Sequence, residues 1–171
     1  MASNLLNIVK EKHVALMLIL LGTVIVAAGF LFQGSSEKVR LDVVKTVKGE
    51  DAVKMVKSIH LGNFDVKSAV IVDFKGLGDI RVWIAVAEND SVAYELAEKM
   101  KEKVHLYFSS PVDVEFNGLK TYRVFGNGRT HYFFSFQDQV VWVEFSNPDQ
   151  DYHALVIDHL FGKGEMEKYI K

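Results

Sequence analysis

The sequence predicts an α+β protein: a single N-terminal transmembrane helix followed by one domain with an antiparallel sheet and about three helices. Three observations carry this. Residues 14–32, VALMLILLGTVIVAAGFLF, form an uncharged run of nineteen residues. Between 112 and 145, four short apolar and aromatic stretches are separated by Asn117-Gly118, Gly126-Asn127-Gly128 and Gln137-Asp138-Gln139. Three further stretches, starting near 50, 92 and 152, repeat apolar residues with helical spacing. Helices before, between and after hairpin strands give an antiparallel sheet, with helices expected mainly on one face.

The run at 14–32 reaches roughly 28 Å at about 1.5 Å per residue, close to the roughly 30 Å of a bilayer's hydrocarbon. A cleaved signal peptide would carry an apolar region of about 7–15 residues. Here Phe30-Leu31-Phe32 continue past the small residues Ala27-Ala28-Gly29. A core helix would keep a polar face, and this run has only Thr23. An uncleaved span is therefore the reading. Lys10, Lys12 and His13 precede it, whereas Gln33-Gly34-Ser35-Ser36-Glu37 follow. The more basic N-terminal flank predicts a cytoplasmic tail (1–13), the span (14–32), a linker (33–37) and an extracytoplasmic domain (38–171) in the cell membrane. Ala15, Gly22 and Gly29 recur every seven residues and form a small-residue stripe on which a second helix packs closely. Ser3 or Asn4 is placed to cap a helix through Leu5, Leu6, Ile8 and Val9 at the inner interface.

Within the domain, Lys38–Lys48 alternates weakly and reads as a strand. Gly49-Glu50-Asp51 opens a helix through Ala52, Val53, Met55, Val56 and Ile59, which Leu61-Gly62-Asn63 stops. Val66–Phe74 and Ile80–Ala87 form a hairpin about the turn 75–79. Asn89-Asp90-Ser91 caps a helix from Val92 to Val104, with Ala93, Leu96, Ala97, Met100 and Val104 on its apolar face. After the break at Pro111 come the four strands, 112–116, 119–125, 131–136 and 140–145. Asn147-Pro148-Asp149 ends the sheet, and Tyr152–Phe161 is a last helix closed by Gly162-Lys163-Gly164.

Composition excludes several classes. The absence of cysteine removes disulfides, thiolate metal sites and a cysteine nucleophile. The net charge of −2 lacks the basic stripe that nucleic acid requires. Gly76-Leu77-Gly78 precedes a strand, not a helix, so it is a hairpin turn and not a phosphate cradle. Asn147, Asp149, Asp151 and Asp158 imitate a calcium loop, but Tyr152 stands where that loop needs glycine. The histidines His13, His60, His105, His131, His153 and His159 form no HxxxH or HExxH pattern. No catalytic, cofactor-binding or metal-binding set emerges. Asp73, inside an apolar strand, is the acid of most interest, with the solvent face of its strand as its expected place.

The strongest positive signal is aromatic. Tyr132, Phe134 and Phe136 share one strand face, with His131, Phe133 and Ser135 on the other; Val140 and Trp142 likewise share a face. Neither sheet face is cleanly polar. Either the chain covers both faces itself, or one face docks on a partner, a ligand or the membrane surface. Trp83, Tyr132, Phe134, Phe136 and Trp142 are the expected interaction face, with Arg81 beside Trp83. These features predict a membrane-anchored, non-enzymatic accessory domain associating with the membrane and with other membrane-protein subunits or with itself. The alternatives are an anchored module holding a small ligand against the aromatic sheet, and a hydrolase whose dispersed site would gather Asp73, His131 or His105 in a cleft.

Overall fold

The computed structural model describes residues 39–59 and 65–170. The predicted span, its Ala15–Gly22–Gly29 stripe, the linker and the Leu61-Gly62-Asn63 stop lie outside the described residues. Among the described residues, no helix is long and apolar enough to cross a membrane.

Seven strands form one sheet: β1 (Asp42–Lys48), β2 (Ser68–Lys75), β3 (Asp79–Val86), β4 (Val112–Phe116), β5 (Leu119–Gly126), β6 (Arg129–Phe136) and β7 (Gln139–Phe145). Their order is β1-β2-β3-β7-β6-β5-β4, and every neighbouring pair is antiparallel. Two meanders, β1–β3 and β4–β7, are thus joined by the pairing of β3 with β7. Asn117-Gly118 and Asn127-Gly128 both have positive φ at both positions, the geometry of tight type I′ hairpins. The edge strand β1 carries a register shift between Val43 and Lys45, the kind of irregularity that blunts an edge against further pairing.

Helix α1 (Gly49–Ile59) starts with Glu50 and Asp51 and has Lys57 in its last turn, each sign at the favourable end of the dipole. Helix α2 (Asp90–Lys103) is capped by Asn89, whose Oδ1 accepts from the Val92 amide at 3.0 Å. It runs into a 3₁₀ turn at Val104–Leu106. Helix α3 (Gln150–Ile157) is capped by Asp149, which accepts from the amides of Asp151 and Tyr152 at 3.1 and 3.2 Å. A π-helical turn (Asp158–Gly162) and the short α4 (Glu167–Ile170) complete the chain's C-terminal layer.

The α+β class with an antiparallel sheet and about three substantial helices is as the sequence predicts. The layering differs: helices cover both faces, not mainly one. On one face α3, the π turn and the segment leading into α4 seat Tyr152, Val156, Ile157, Leu160, Phe161 and Met166 on Val72, Phe74, Val82, Tyr132, Phe134, Val143 and Phe145. On the other, α1 brings Ala52 and Val56 to Ile71 and Trp83, while α2 brings Leu96 and Met100 to Tyr122 and Phe133. Strands covered on both sides carry apolar residues on both faces, and in β6 and β7 Arg129, His131 and Glu144 stand among them on the face under α1 and α2.

Candidate functional site

On the face covered by α1 and α2, the register sets two rows across the central strands. Asp73 (β2), Arg81 (β3), Glu144 (β7) and His131 (β6) lie opposite one another in turn. Two residues along each strand, Ile71, Trp83, Trp142, Phe133 and Tyr122 do the same. A polar row in which Asp73, Arg81 and Glu144 alternate in charge and His131 follows therefore borders a mainly aromatic row.

The polar row is tightly bonded. Arg81 grips Asp73 with two donors, Nε to Oδ1 at 2.5 Å and Nη2 to Oδ2 at 3.1 Å. That carboxylate raises the guanidinium's pKa further above its already high ordinary value. The Trp83 indole Nε1 donates to Glu144 Oε1 at 2.7 Å. The other carboxylate oxygen, Oε2, faces Arg129 Nη1 at 3.9 Å. The Trp142 indole donates to His131 Nδ1 at 3.2 Å. Indole nitrogen only donates, so Nδ1 is the acceptor and Nε2 carries the proton, which it gives to the Gly126 carbonyl at 3.1 Å. Burial is the largest influence on His131 and pushes its pKa below the ordinary value, favouring the neutral ring; the Gly126 carbonyl and Glu144 oppose it.

Above the rows, between α1 and α2, opens a cleft of about 640 Å³. Trp142 lies in its floor, stacked on Phe133 with ring centroids 5.2 Å apart and planes 11° from parallel. Met100, Val104 and Phe108 form an apolar wall, and Arg81, Arg129, His131 and Glu144 supply the polar side. Phe108 comes in close against Gly126, where any Cβ would collide with its ring. The size and mixed lining are those of a small-molecule site.

Among the described lining residues His131 is the one imidazole, and both its ring nitrogens are bonded. The cleft's serine, Ser58, turns its hydroxyl back to the Met55 carbonyl at 2.7 Å. Among the described residues no group of three or more His, Asp or Glu side chains is arranged to hold a metal ion.

No protein-family model matches the chain, and no curated protein matches it. A similar solved structure is a GTP binding regulator from Thermotoga maritima, with a TM-score of 0.41 and 11% identity over 67% of this chain and 74% of that one. A likeness at that level carries no argument about function.

The five residues expected to form an interaction face are divided by the sheet. Tyr132 and Phe134 are fully buried beneath the C-terminal helices, and Phe136 is half-buried against the same cluster. Trp83 lies on the opposite face, buried with α1. Of the five, Trp142 alone lines the cleft. The reason is the pleat: Tyr132 pairs with Val143, whereas Phe133 pairs with Trp142. Asp73 is not on an open solvent face but is half-buried and bound to Arg81. His105 is exposed in the 3₁₀ turn, away from the polar row. Asp149 and Asp158 are occupied as an N-cap and as acceptor for the Asn117 amide at 2.6 Å. Glu144 and Arg129 escaped the sequence reading, although alternation places Glu144 with Trp142 and Arg129 with His131.

Proposed function

We propose that this chain is a membrane-anchored, non-enzymatic extracytoplasmic domain that binds a small ligand in the cleft between α1 and α2. The observation that carries this is the juxtaposition in the cleft of an aromatic floor, Trp142 on Phe133, with a polar row whose only imidazole is fully engaged. The anchor is the apolar run 14–32 with its basic N-terminal flank, and its Ala15–Gly22–Gly29 stripe is the surface for helix association in the membrane.

The accessory-subunit reading is favoured by a separate observation. Leu106, Tyr107, Val112 and Phe125 are exposed apolar residues around the entry to β4. Ser109 bonds this entry to β5, its amide donating to the Phe125 carbonyl and its hydroxyl accepting from the Phe125 amide, both at 2.9 Å. Apolar exposure of this kind is where a partner subunit would dock.

The chain has two tryptophans, one in the cleft and one buried under α1. The full chain, labelled with 5-fluorotryptophan and held in nanodiscs, therefore offers two fluorine reporters, assigned with Trp83→Phe. Titration with indole, benzoate and phenethylamine is expected to move the Trp142 signal further than that of Trp83, which lies outside the lining and touches it only through Glu144. If neither these probes nor L-phenylalanine, at millimolar concentration, moves Trp142, the binding-module reading fails.

A further inference from the structure

The cleft's polar side holds two kinds of charge pair. Arg81 and Asp73 neutralise each other through a two-donor contact, which leaves three guanidinium N–H groups of Arg81 over. Glu144 and Arg129 are not joined in this way. Their nearest atoms, Oε2 and Nη1, are 3.9 Å apart, beyond hydrogen-bond distance. Glu144 is held in place by Trp83 through its other oxygen, and its side chain is only 17% exposed; that of Arg129 is 37% exposed. Arg129 also feels Asp79, which is itself hydrogen-bonded to Lys75 at 2.7 Å.

A half-buried carboxylate and guanidinium that do not hydrogen-bond each other have lost hydration without the full return of pairing. Each has directional capacity left toward the cleft: Glu144 Oε2 accepts, and the Arg129 fork donates. Beside them stand Met100, Val104, Phe108 and the Trp142 ring. Of the ionised groups lining the cleft, Arg81 is neutralised by Asp73 beside it, which leaves Glu144 and Arg129 as the open pair. A simple anion or a simple cation would satisfy one member of the open pair and face repulsion from the other.

Resting on the binding-module reading, we infer that the ligand is amphoteric: a small molecule with an ammonium and a carboxylate on neighbouring atoms and an apolar or aromatic body, the chemistry of an apolar α-amino acid. The ammonium lies on Glu144 Oε2, the carboxylate on the Arg129 fork, and the body on Trp142 against Met100 and Phe108. A molecule of that size fits within the cleft of about 640 Å³.

The test compares three probes that share one aromatic body: L-phenylalanine, phenethylamine, which lacks the carboxylate, and 3-phenylpropionate, which lacks the ammonium. Binding to the full chain in nanodiscs is measured by calorimetry and by the Trp142 fluorine signal. L-phenylalanine is expected to bind at least tenfold tighter than either half-charged analogue. Arg129→Gln should reduce it to the level of phenethylamine, and Glu144→Gln to that of 3-phenylpropionate. Equal or tighter binding of the acid makes the cleft an anion site and overturns the inference; equal or tighter binding of the amine makes it a cation site and does the same. In both cases ligand binding at Trp142 still stands. If indole moves Trp142 but no charged probe does, the amphoteric ligand is excluded and the binding module survives. Silence from all the probes removes both. The wild-type comparison decides the matter even where a variant fails to fold.

Discussion

Trp142 fixes the tautomer of His131. Its indole N–H, a donor with no acceptor role, meets Nδ1 at 3.2 Å and leaves the ring proton on Nε2, which reaches the Gly126 carbonyl. The imidazole thereby ties β7 to the β5–β6 turn across the cleft floor. Phe108 packs edge-on to the same ring, with centroids 4.9 Å apart. The two hydrogen bonds make this imidazole a brace between strands.

His131→Phe keeps the ring packing and removes both hydrogen bonds, leaving the Gly126 carbonyl without the imidazole donor. The expected loss is about 1–3 kcal/mol of stability. Urea unfolding should show a lower midpoint at unchanged slope. A midpoint equal to that of the wild type would show that the brace carries no stability.

Stability is expected to fall as pH drops below about 6.5. Burial lowers the pKa of both His131 and His153 from the ordinary 6.5. His153 is fully enclosed, stacked on Phe145 and bonded to the Tyr132 hydroxyl and to Asn147. The unfolded chain takes up protons at these rings as pH falls through 6.5, while the folded chain does not. The unfolded state then binds more protons and gains. Asp79, Asp113 and Glu165 are held below their ordinary 3.8, 3.8 and 4.5 by hydrogen bonds from Lys75, Lys101 and Lys168, so their contribution is lost only at lower pH. Urea midpoints between about pH 7.5 and pH 5 isolate the imidazoles. A midpoint that stays flat or rises on acidification would contradict their neutral burial.

The absence of cysteine makes the proposed topology directly measurable. Ser91→Cys, at an exposed position in the first turn of α2, should react with a membrane-impermeant maleimide on intact cells. Ser3→Cys, before the apolar run, should react only after lysis. The reverse pattern would invert the orientation drawn from Lys10 and Lys12.

The elements were legible in the sequence because their signals are local. Asn-Gly pairs mark the two tight hairpins, Asn89 marks a helix start, and Val112–Phe116 reads as a strand with the ends the structure gives it. The layering was not, because which face a helix covers depends on pairings between distant strands. Only the β3–β7 pairing reveals that Trp83 lies opposite Trp142 and Arg81 opposite Glu144. The cleft inherits the same limit: Trp83, Arg81, Asp73 and His131 each drew attention alone, but the row that joins them runs through Glu144 and spans four strands. The π turn at Asp158–Gly162 has no simple periodic signature, so it reads as a plain continuation of α3.

Gly76 shows how the C-terminal layer reaches back to the β2–β3 hairpin. A Cβ there would collide with the Tyr152 hydroxyl and sit 3.1 Å from Leu41 Cδ2. The backbone at 76 is not left-handed, so the tyrosine, and not the turn, excludes a side chain. That hydroxyl also accepts from the Leu77 amide at 3.1 Å, clamping the hairpin to α3. Gly76→Ala is expected to cost about 1–3 kcal/mol through overpacking. Tyr152→Phe alone should cost about 0.5–1.5 kcal/mol for the lost hydrogen bond. Combined, the two should cost less than their sum, because removing the hydroxyl takes away the atom that the new methyl meets, although Tyr152 Cζ, 3.3 Å from the same Cβ position, keeps the relief partial. A double-mutant cycle by urea unfolding should give a coupling of about 0.5–3 kcal/mol in that direction. Strict additivity would mean that the hairpin shifts away from α3 on its own, and that the hydroxyl does not set its position.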